Sequence, residues 1–309
     1  MEPVSPQNLK VGLYIPNGDG SMTTTARHWS DILRLSVAAE AAGLDSVWIA
    51  DHMIFDFPDV EIQGRWECWT ILAAIAQATA TVEIGPLVSC VGFRNPALLA
   101  KMAETVDEIS GGRLVLGLGA GWHEPEFTTY GFPYDHRASR FEESFEIIRQ
   151  LIRSGEVDFT GTFVSAPNCK LRPRGPRAGK IPIMVGTDGP RLLKLTAKYA
   201  DEWNTTWSRS VAEVLPRLAA LDAACDIMNR DPATITRSCC VYLDFPGAVG
   251  VWTAAGMQTP NPLNVKQAAD VLVSYADAGV DHVMLWLDPC TTGAVELAGE
   301  AVKLLRTGD

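Results

Sequence analysis

The chain has 309 residues, 47% of them hydrophobic and 20% charged, the make-up of a globular protein with a sizeable core rather than a disordered one. A formal net charge of −11 leaves no concentrated positive field for nucleic acid or an anionic membrane, so a small-molecule ligand is the expected partner. No apolar run of about 18 residues occurs and MEPVSPQNLK lacks a signal-peptide pattern, so the chain is expected to be cytoplasmic, without a membrane span.

Val11 to Pro16 reads as a short buried strand. The loop Gly18–Asp19–Gly20–Ser21 leads to a helix at about 26 to 42, with Trp29, Ile32, Leu33, Ser36 and Val37 on one face and a stop at Gly43. Ser46 to Ala50 is the second strand, with Asp51 and His52 at its C-terminal edge, followed by an irregular loop at 53 to 65 and a helix at about 66 to 79. Val82 to Val91 carries β-branched and small apolar residues on both alternations, as a strand buried on two faces must. Pro96 opens a helix, Gly111 and Gly112 stop it, and Arg113 to Gly119 is the next strand, completing a strand–helix–strand crossover. Parallel pairing needs such crossovers, which makes the fold α/β.

After Gly121 a loop containing Trp122, His123, Glu124 and Pro125 precedes a helix at about 137 to 154. Residues 155 to 180 break the rhythm with a possible hairpin (157 to 164) and the basic stretch KLRPRGPRAGK, read as an insertion. Strands at 181 to 186, 202 to 206, about 234 to 243 and 282 to 287 then alternate with helices at about 189 to 200, 210 to 229, 264 to 278 and 293 to 306; a variable loop occupies 244 to 263. Eight strands and eight major helices in alternation predict one closed (β/α)8 TIM barrel over residues 1–309, with insertion loops at its C-terminal mouth.

In a closed barrel the chemistry lies where strands end and helices begin. Asp51 and His52, Leu87 to Cys90, Gly119 to His123 and Gly186 to Arg191 all fall there. Gly117, Gly119 and Gly121 lack the spacing and the following helix of a dinucleotide fingerprint and instead offer bare backbone to a flat ligand or phosphate. The strand-to-helix joint Val185–Gly186–Thr187–Asp188–Gly189–Pro190–Arg191 suits a phosphate, with Arg191 adding charge and Asp188 opposing it unless it points away to cap the helix. His52 beside Asp51 is the acid/base candidate, against the plainer reading of a histidine satisfied by a neighbouring carboxylate. Trp66, Trp122 and Trp252, among other indoles near the loops, could wall an apolar substrate. The five histidines show no metal-ligand spacing, and the seven scattered cysteines contain no CxxC and read as buried small hydrophobes.

With these residues in place, GLDSVWIADH, GFRNPALLAKMAETVDEISGGRLVLGLGAGWHEPEFTTYGFP, PIMVGTDGPRLLKLTAKYADEWN and YADAGVDHVMLWL resemble the bacterial luciferase-like flavin and deazaflavin oxidoreductases, in particular the coenzyme F420-dependent branch. The resemblance implies a TIM barrel and an oxidoreductase that passes a hydride between the deazaflavin and a small organic substrate. It sets Asp51 and His52 against the deazaflavin head and a non-prolyl cis peptide at Leu87–Val88, next to Ser89, behind the ring. It further implies that Gly119, Ala120, Gly121 and Trp122 line the ring edge, and that Gly186, Thr187, Asp188, Gly189, Pro190, Arg191 and Leu192 hold the phosphate tail. Trp122 follows the glycines where the sugar-phosphate dehydrogenases of the family have an acid, which favours an apolar or aromatic substrate. FMN, used by the monooxygenase branch, is the alternative cofactor, and a non-catalytic cofactor-binding protein a further one. Lys170, Arg172, Arg174, Arg177 and Lys180 either hold the glutamyl tail that FMN lacks or form a solvated loop. The resemblance also implies a homodimer.

Overall fold

Strand and helix alternate along the whole chain of the computed structural model, which describes residues 5–19, 28–250 and 259–308 and the backbone of 252–253 and 256–257. The main elements are β1 (Lys10–Ile15), α1 (Trp29–Ala41), β2 (Ser46–Ile49), α2 (Cys68–Ala78), β3 (Glu83–Pro86), β4 (Ser89–Cys90), α3 (Pro96–Ile109), β5 (Leu116–Gly119), α4 (Glu124–Tyr130) and α5 (Arg137–Ser154). They continue as β6 (Ile183–Gly186), α6 (Pro190–Tyr199), β7 (Glu202–Ser208), α7 (Val211–Met228), β8 (Thr236–Asp244), α8 (Val265–Asp277), β9 (His282–Asp288) and α9 (Thr292–Thr307).

The parallel strands lie in the order β3-β2-β1-β9-β8-β7-β6-β5-β4. The single strand expected at 82 to 91 is thus two: β3 pairs with β2 (Ile49 opposite Pro86) and β4 with β5 (Ser89 opposite Leu118). The break coincides with a cis peptide at Leu87–Val88, where the resemblance set one. An Ile84–Leu114 bridge and the Val115 N–H donating to Ile84 O (2.9 Å) close the ring, so the nine segments make the eight staves of a TIM barrel.

Outward-facing strand residues such as Val11, Leu13, Val47, Ile49, Leu116 and Leu118 join the buried helix faces in the main core. On α1 that face is Ile32, Leu35, Ser36 and Ala39; Val37 and Trp29, expected with it, are exposed because the buried stripe lies one position round the helix. Inside the barrel, Trp48, Val115, Met184, Cys240 and Met284 form one layer, and Tyr14, Ala50 and Trp286 another with Trp207, Tyr242 and Leu87 packed on it.

Two further expectations need correction. The stretch after Trp122 is helical: Pro125 in the first turn and Gly131 in the left-handed conformation after the last bound α4, the pattern that starts and stops helices. The insertion at 155 to 180 is not at the mouth. It connects α5 to β6 and so lies at the N-terminal ends of the strands, as the hairpin Glu156–Thr160/Ser165–Lys170 and a loop locked to α3. Arg174 Nε pairs with Glu104 (2.6 Å), and Arg177 with Asp107 and Leu114 O, so these two cations are spent on buried carboxylates. The loops that do crown the mouth are 53 to 65, with the short pair Ile54–Phe55/Gln63–Gly64, and the stretch after β8, with Trp252–Thr253/Gly256–Met257.

Candidate active site

β2 ends in the acid–imidazole pair, and the two side chains go different ways. Asp51 is buried, and its carboxylate accepts Arg94 Nη1 and Nη2 (2.6 and 2.9 Å), the Ser89 hydroxyl (3.0 Å) and the Cys90 N–H (3.0 Å). Burial works against the Arg94 charge, but Asp51 and Glu67, the latter 2.5 Å from Nη2, raise its pKa. With these donors in place Asp51 fixes β2 against β4. Ser89 is fully buried in this network, where its Oγ also accepts Trp69 Nε1 (3.1 Å), and it does not line the mouth cavity.

His52 lines that cavity, a space of about 320 Å³ at the C-terminal mouth and within the range of small-molecule sites. Its Nδ1 lies 2.8 Å from Glu126 Oε2. Glu126, only 1% exposed, also accepts the N–H groups of Met53 (2.6 Å) and Ile54 (3.1 Å) on Oε1. An ionised carboxylate can only accept, so Nδ1 carries the hydrogen and Nε2 is the nitrogen left for chemistry. Asp56 N–H donates to His123 Nε2 (3.0 Å), and burial lowers the His123 pKa, which keeps that second ring neutral.

Leu87 and Val88 line the cavity together with Gly119, Ala120, Gly121, Trp122, Gly186, Thr187 and Leu192. The glycines have a steric reason. A Cβ on Gly119 would stand 2.6 Å from Val88 Cγ2, and one on Gly186 3.0 Å from both Val88 methyl groups. The bare backbone is a recess that seats Val88 and carries the 87–88 peptide into the wall of the cavity. Gly121, at φ +76°, is closed in by Cys90 and Phe127. Cys90 and Cys240 also line the cavity, and burial pushes both thiols up, so they stay protonated.

The joint after β6 divides. Gly186, Thr187 and Leu192 reach the cavity, whereas Asp188, Gly189, Pro190 and Arg191 do not. Asp188 does not cap α6, whose N-cap is Gly189; it accepts the hydroxyls of Thr205 (2.6 Å) and Thr206 (3.3 Å). Arg191 turns outward to Glu142 (2.5 Å) and Ser139 (3.0 Å) on α5, a geometry that removes it from the mouth. The cation that does approach this end is Arg217 of α7, whose Nη1 donates to Thr206 Oγ1 and Thr206 O, both at 3.0 Å, and Thr206 lines the cavity.

Two aromatic groups flank the mouth. Tyr14, Trp207, Tyr242 and Trp286 pack with centroids 4.8 to 5.6 Å apart, and burial raises the Tyr14 pKa to about 12, so its hydroxyl stays neutral. In the second group Phe55 lies 4.4 Å from the His52 ring and stacks with Trp122 at 6.1 Å. Trp122 is half exposed over the cavity; Trp66 is equally exposed but lies outside its lining, its backbone bonded to Asn17. Trp252 falls on a short strand whose side chains lie outside the described residues. Glu126, Phe55, Arg94 and Arg217 escape sequence reasoning; only Glu126 has a local signal, its place in the first turn of a Pro-started, Gly-stopped helix.

Among the described residues no helix is long and apolar enough to cross a membrane, and no group of three His, Cys, Asp or Glu is placed to hold a metal ion. A sequence model of the luciferase-like monooxygenase family matches residues 9–246. Curated relatives include a 5,10-methylenetetrahydromethanopterin reductase of Archaeoglobus fulgidus, 36% identical over 53% of this chain and 45% of its own length. Another is an F420-dependent glucose-6-phosphate dehydrogenase of Amycolatopsis mediterranei, 33% identical over 55% of this chain and 51% of its own. The chain therefore spans about half the length of these relatives. An F420-dependent secondary alcohol dehydrogenase, solved with an F420-acetone adduct, has the same fold: TM-score 0.80 at 19% identity, covering 96% of this chain and 99% of that one.

Proposed function

The chain belongs to the luciferase-like monooxygenase family, and from that premise we propose that it is an F420-dependent oxidoreductase acting on a small apolar or aromatic carbonyl or alcohol. The observation that carries the reading is the His52–Glu126 pair at the edge of a cavity walled by Leu87–Val88 and the Gly119–Trp122 backbone.

The residues fit a flat cofactor. Val88, seated in its glycine recess, presents one wall; Gly119 to Gly121 follow another; Thr187, Thr206 and Arg217 offer hydroxyls and a cation at the phosphate end. F420, when bound, supplies a hydride donor or acceptor that hardly reacts with oxygen. His52 does the proton work. Glu126 holds Nδ1–H, so Nε2 gives a proton to the substrate oxygen during carbonyl reduction or takes one from the hydroxyl during alcohol oxidation. Glu126 also stabilises the imidazolium, and Asp51, through Arg94, Ser89 and Cys90, keeps the strand end in place. Trp122 and Phe55 shield the reacting centre from water on one side.

The same reading extends to a cytoplasmic homodimer, for which light scattering on the purified chain is the test. For the function, F420 and FMN are titrated separately into the purified protein, followed by turnover of reduced F420 with carbonyl compounds. F420 binding with turnover supports the reading; tight FMN binding with no F420 binding replaces it with a monooxygenase, and F420 binding without turnover with a non-catalytic carrier.

A further inference from the structure

The loop between β2 and α2, one of those that crown the mouth, carries a single cation, Arg65. Arg65 is half-buried, and its backbone is fixed: its N–H donates to Met53 O (2.8 Å) and the residue bridges to Gly18. Its guanidinium stands over the Phe55 ring at 4.8 Å, and Phe55 in turn touches His52. Nη1 donates to the carbonyls of Asp19 (2.9 Å) and Gly64 (3.1 Å), while Nε is shut off from solvent with no acceptor.

Half-buried Arg137, Arg217 and Arg230 likewise lack a carboxylate partner, but among the described residues only Arg65 and Arg209 keep an enclosed guanidinium nitrogen without an acceptor. Arg94, Arg174, Arg177 and Arg237 each pair with a carboxylate. Arg113 spends all three nitrogens on carbonyl and hydroxyl oxygens. Arg209 leaves two nitrogens idle but is held by Asp244 at 2.7 Å. Arg65 forms no ion pair among the described residues. The carboxylates within its electrostatic reach are Asp19 and Glu126, and Glu126 is already bonded to His52, Met53 and Ile54. The other ionisable group in its field is the neutral Tyr14 of the aromatic wall. A partly desolvated guanidinium with no carboxylate in direct contact is costly to keep, and its geometry suits a carboxylate best.

We infer that Arg65 is the seat for a carboxylate on the substrate, which is therefore a flat aromatic carbonyl or alcohol bearing an anionic group. Its ring lies between the Tyr14 and Phe55 walls and its reacting carbon lies toward His52. The inference rests on the functional reading above for the place of the cofactor. Arg65 is a specificity residue: it takes no part in the proton step and does not line the cofactor cavity.

Benzoate and benzamide share a shape and differ in charge, and each is titrated into the protein with and without F420, read by tryptophan fluorescence and calorimetry. Wild type should bind benzoate at least about tenfold more tightly than benzamide, as one charge-assisted contact supplies. Arg65→Met should bring the two to parity while F420 affinity, which serves as the folding control, stays within about twofold; Arg65→Lys should keep part of the preference. Equal binding of the two probes by wild type, binding of neither, or a preference that survives in Arg65→Met would overturn the seat. Failure of F420 to bind would remove the functional reading alone, whereas loss of the benzoate preference with F420 still bound would remove only the seat.

Discussion

Replacing Gly119 by alanine drives a methyl group into the recess that holds Val88. The new Cβ would stand 2.6 Å from Val88 Cγ2, against an ordinary carbon–carbon contact of about 3.5–4.0 Å, so one partner must retreat by about 1 Å. Retreat is restricted, because Gly186 faces the same two methyl groups and the neighbouring Gly117 position is closed by Pro86 O and Met184. Val88 therefore moves toward the cavity that it lines. Overpacking of this kind costs about 1–3 kcal/mol, which urea unfolding measures directly. The displaced wall should also weaken F420 binding, read by the fluorescence of the deazaflavin. Val88→Ala removes the clashing atoms, so Gly119→Ala combined with Val88→Ala should be more stable than the two single losses predict, with a coupling of about 0.5–3 kcal/mol. Wild-type stability and F420 affinity in Gly119→Ala, or strict additivity in the double variant, would refute the recess.

Glu126→Gln keeps an oxygen for the Met53 and Ile54 amides but turns an NH2 toward His52 Nδ1; turnover should fall about 10- to 100-fold, the worth of a hydrogen bond to a charged group, with F420 affinity little changed. Steady-state kinetics beside a cofactor titration separates the two effects. Arg94→Gln leaves the buried Asp51 carboxylate without its cation and should cost about 3–5 kcal/mol in urea unfolding. His123 has a pKa lowered from 6.5 by burial, so the unfolded chain binds its proton more readily than the folded one. Its contribution to stability is therefore present above pH 6.5 and is lost as pH falls below it toward the folded value. His123→Asn should be less stable at neutral pH and lose less on acidification below 6.5, as unfolding midpoints across that range will show.

The barrel is legible because its signals are local and repeated: apolar runs such as Ser46 to Ala50 and His282 to Leu287, each joined to the preceding amphipathic helix by a glycine stop, Gly43 and Gly279. The pairing of Asp51 and His52 at a strand end was legible for the same reason. What those residues do was not, because it depends on partners far along the chain. Glu126 is 74 positions from His52 and Arg94 is 43 from Asp51, and nothing in either neighbourhood announces the other. The basic stretch 170 to 180 was misplaced because composition shows charge but not the buried Glu104 and Asp107 that consume it. Arg191 is a like case, since its partner Glu142 lies on another helix that no local pattern announces. The glycines at the end of β5 do border the cavity, as their bare backbone suggests, but the sequence does not announce that the close neighbour of Gly119 is Val88.

The central claim is that His52, oriented by Glu126, moves a proton for hydride chemistry on F420. It is tested most directly by His52→Ala, with F420 affinity and turnover of reduced F420 measured on the same preparation. Turnover lower by at least about 100-fold, within the range general acid–base catalysis provides, with F420 affinity changed only severalfold is the predicted result. Turnover equal to wild type in a variant that still binds F420 would contradict it.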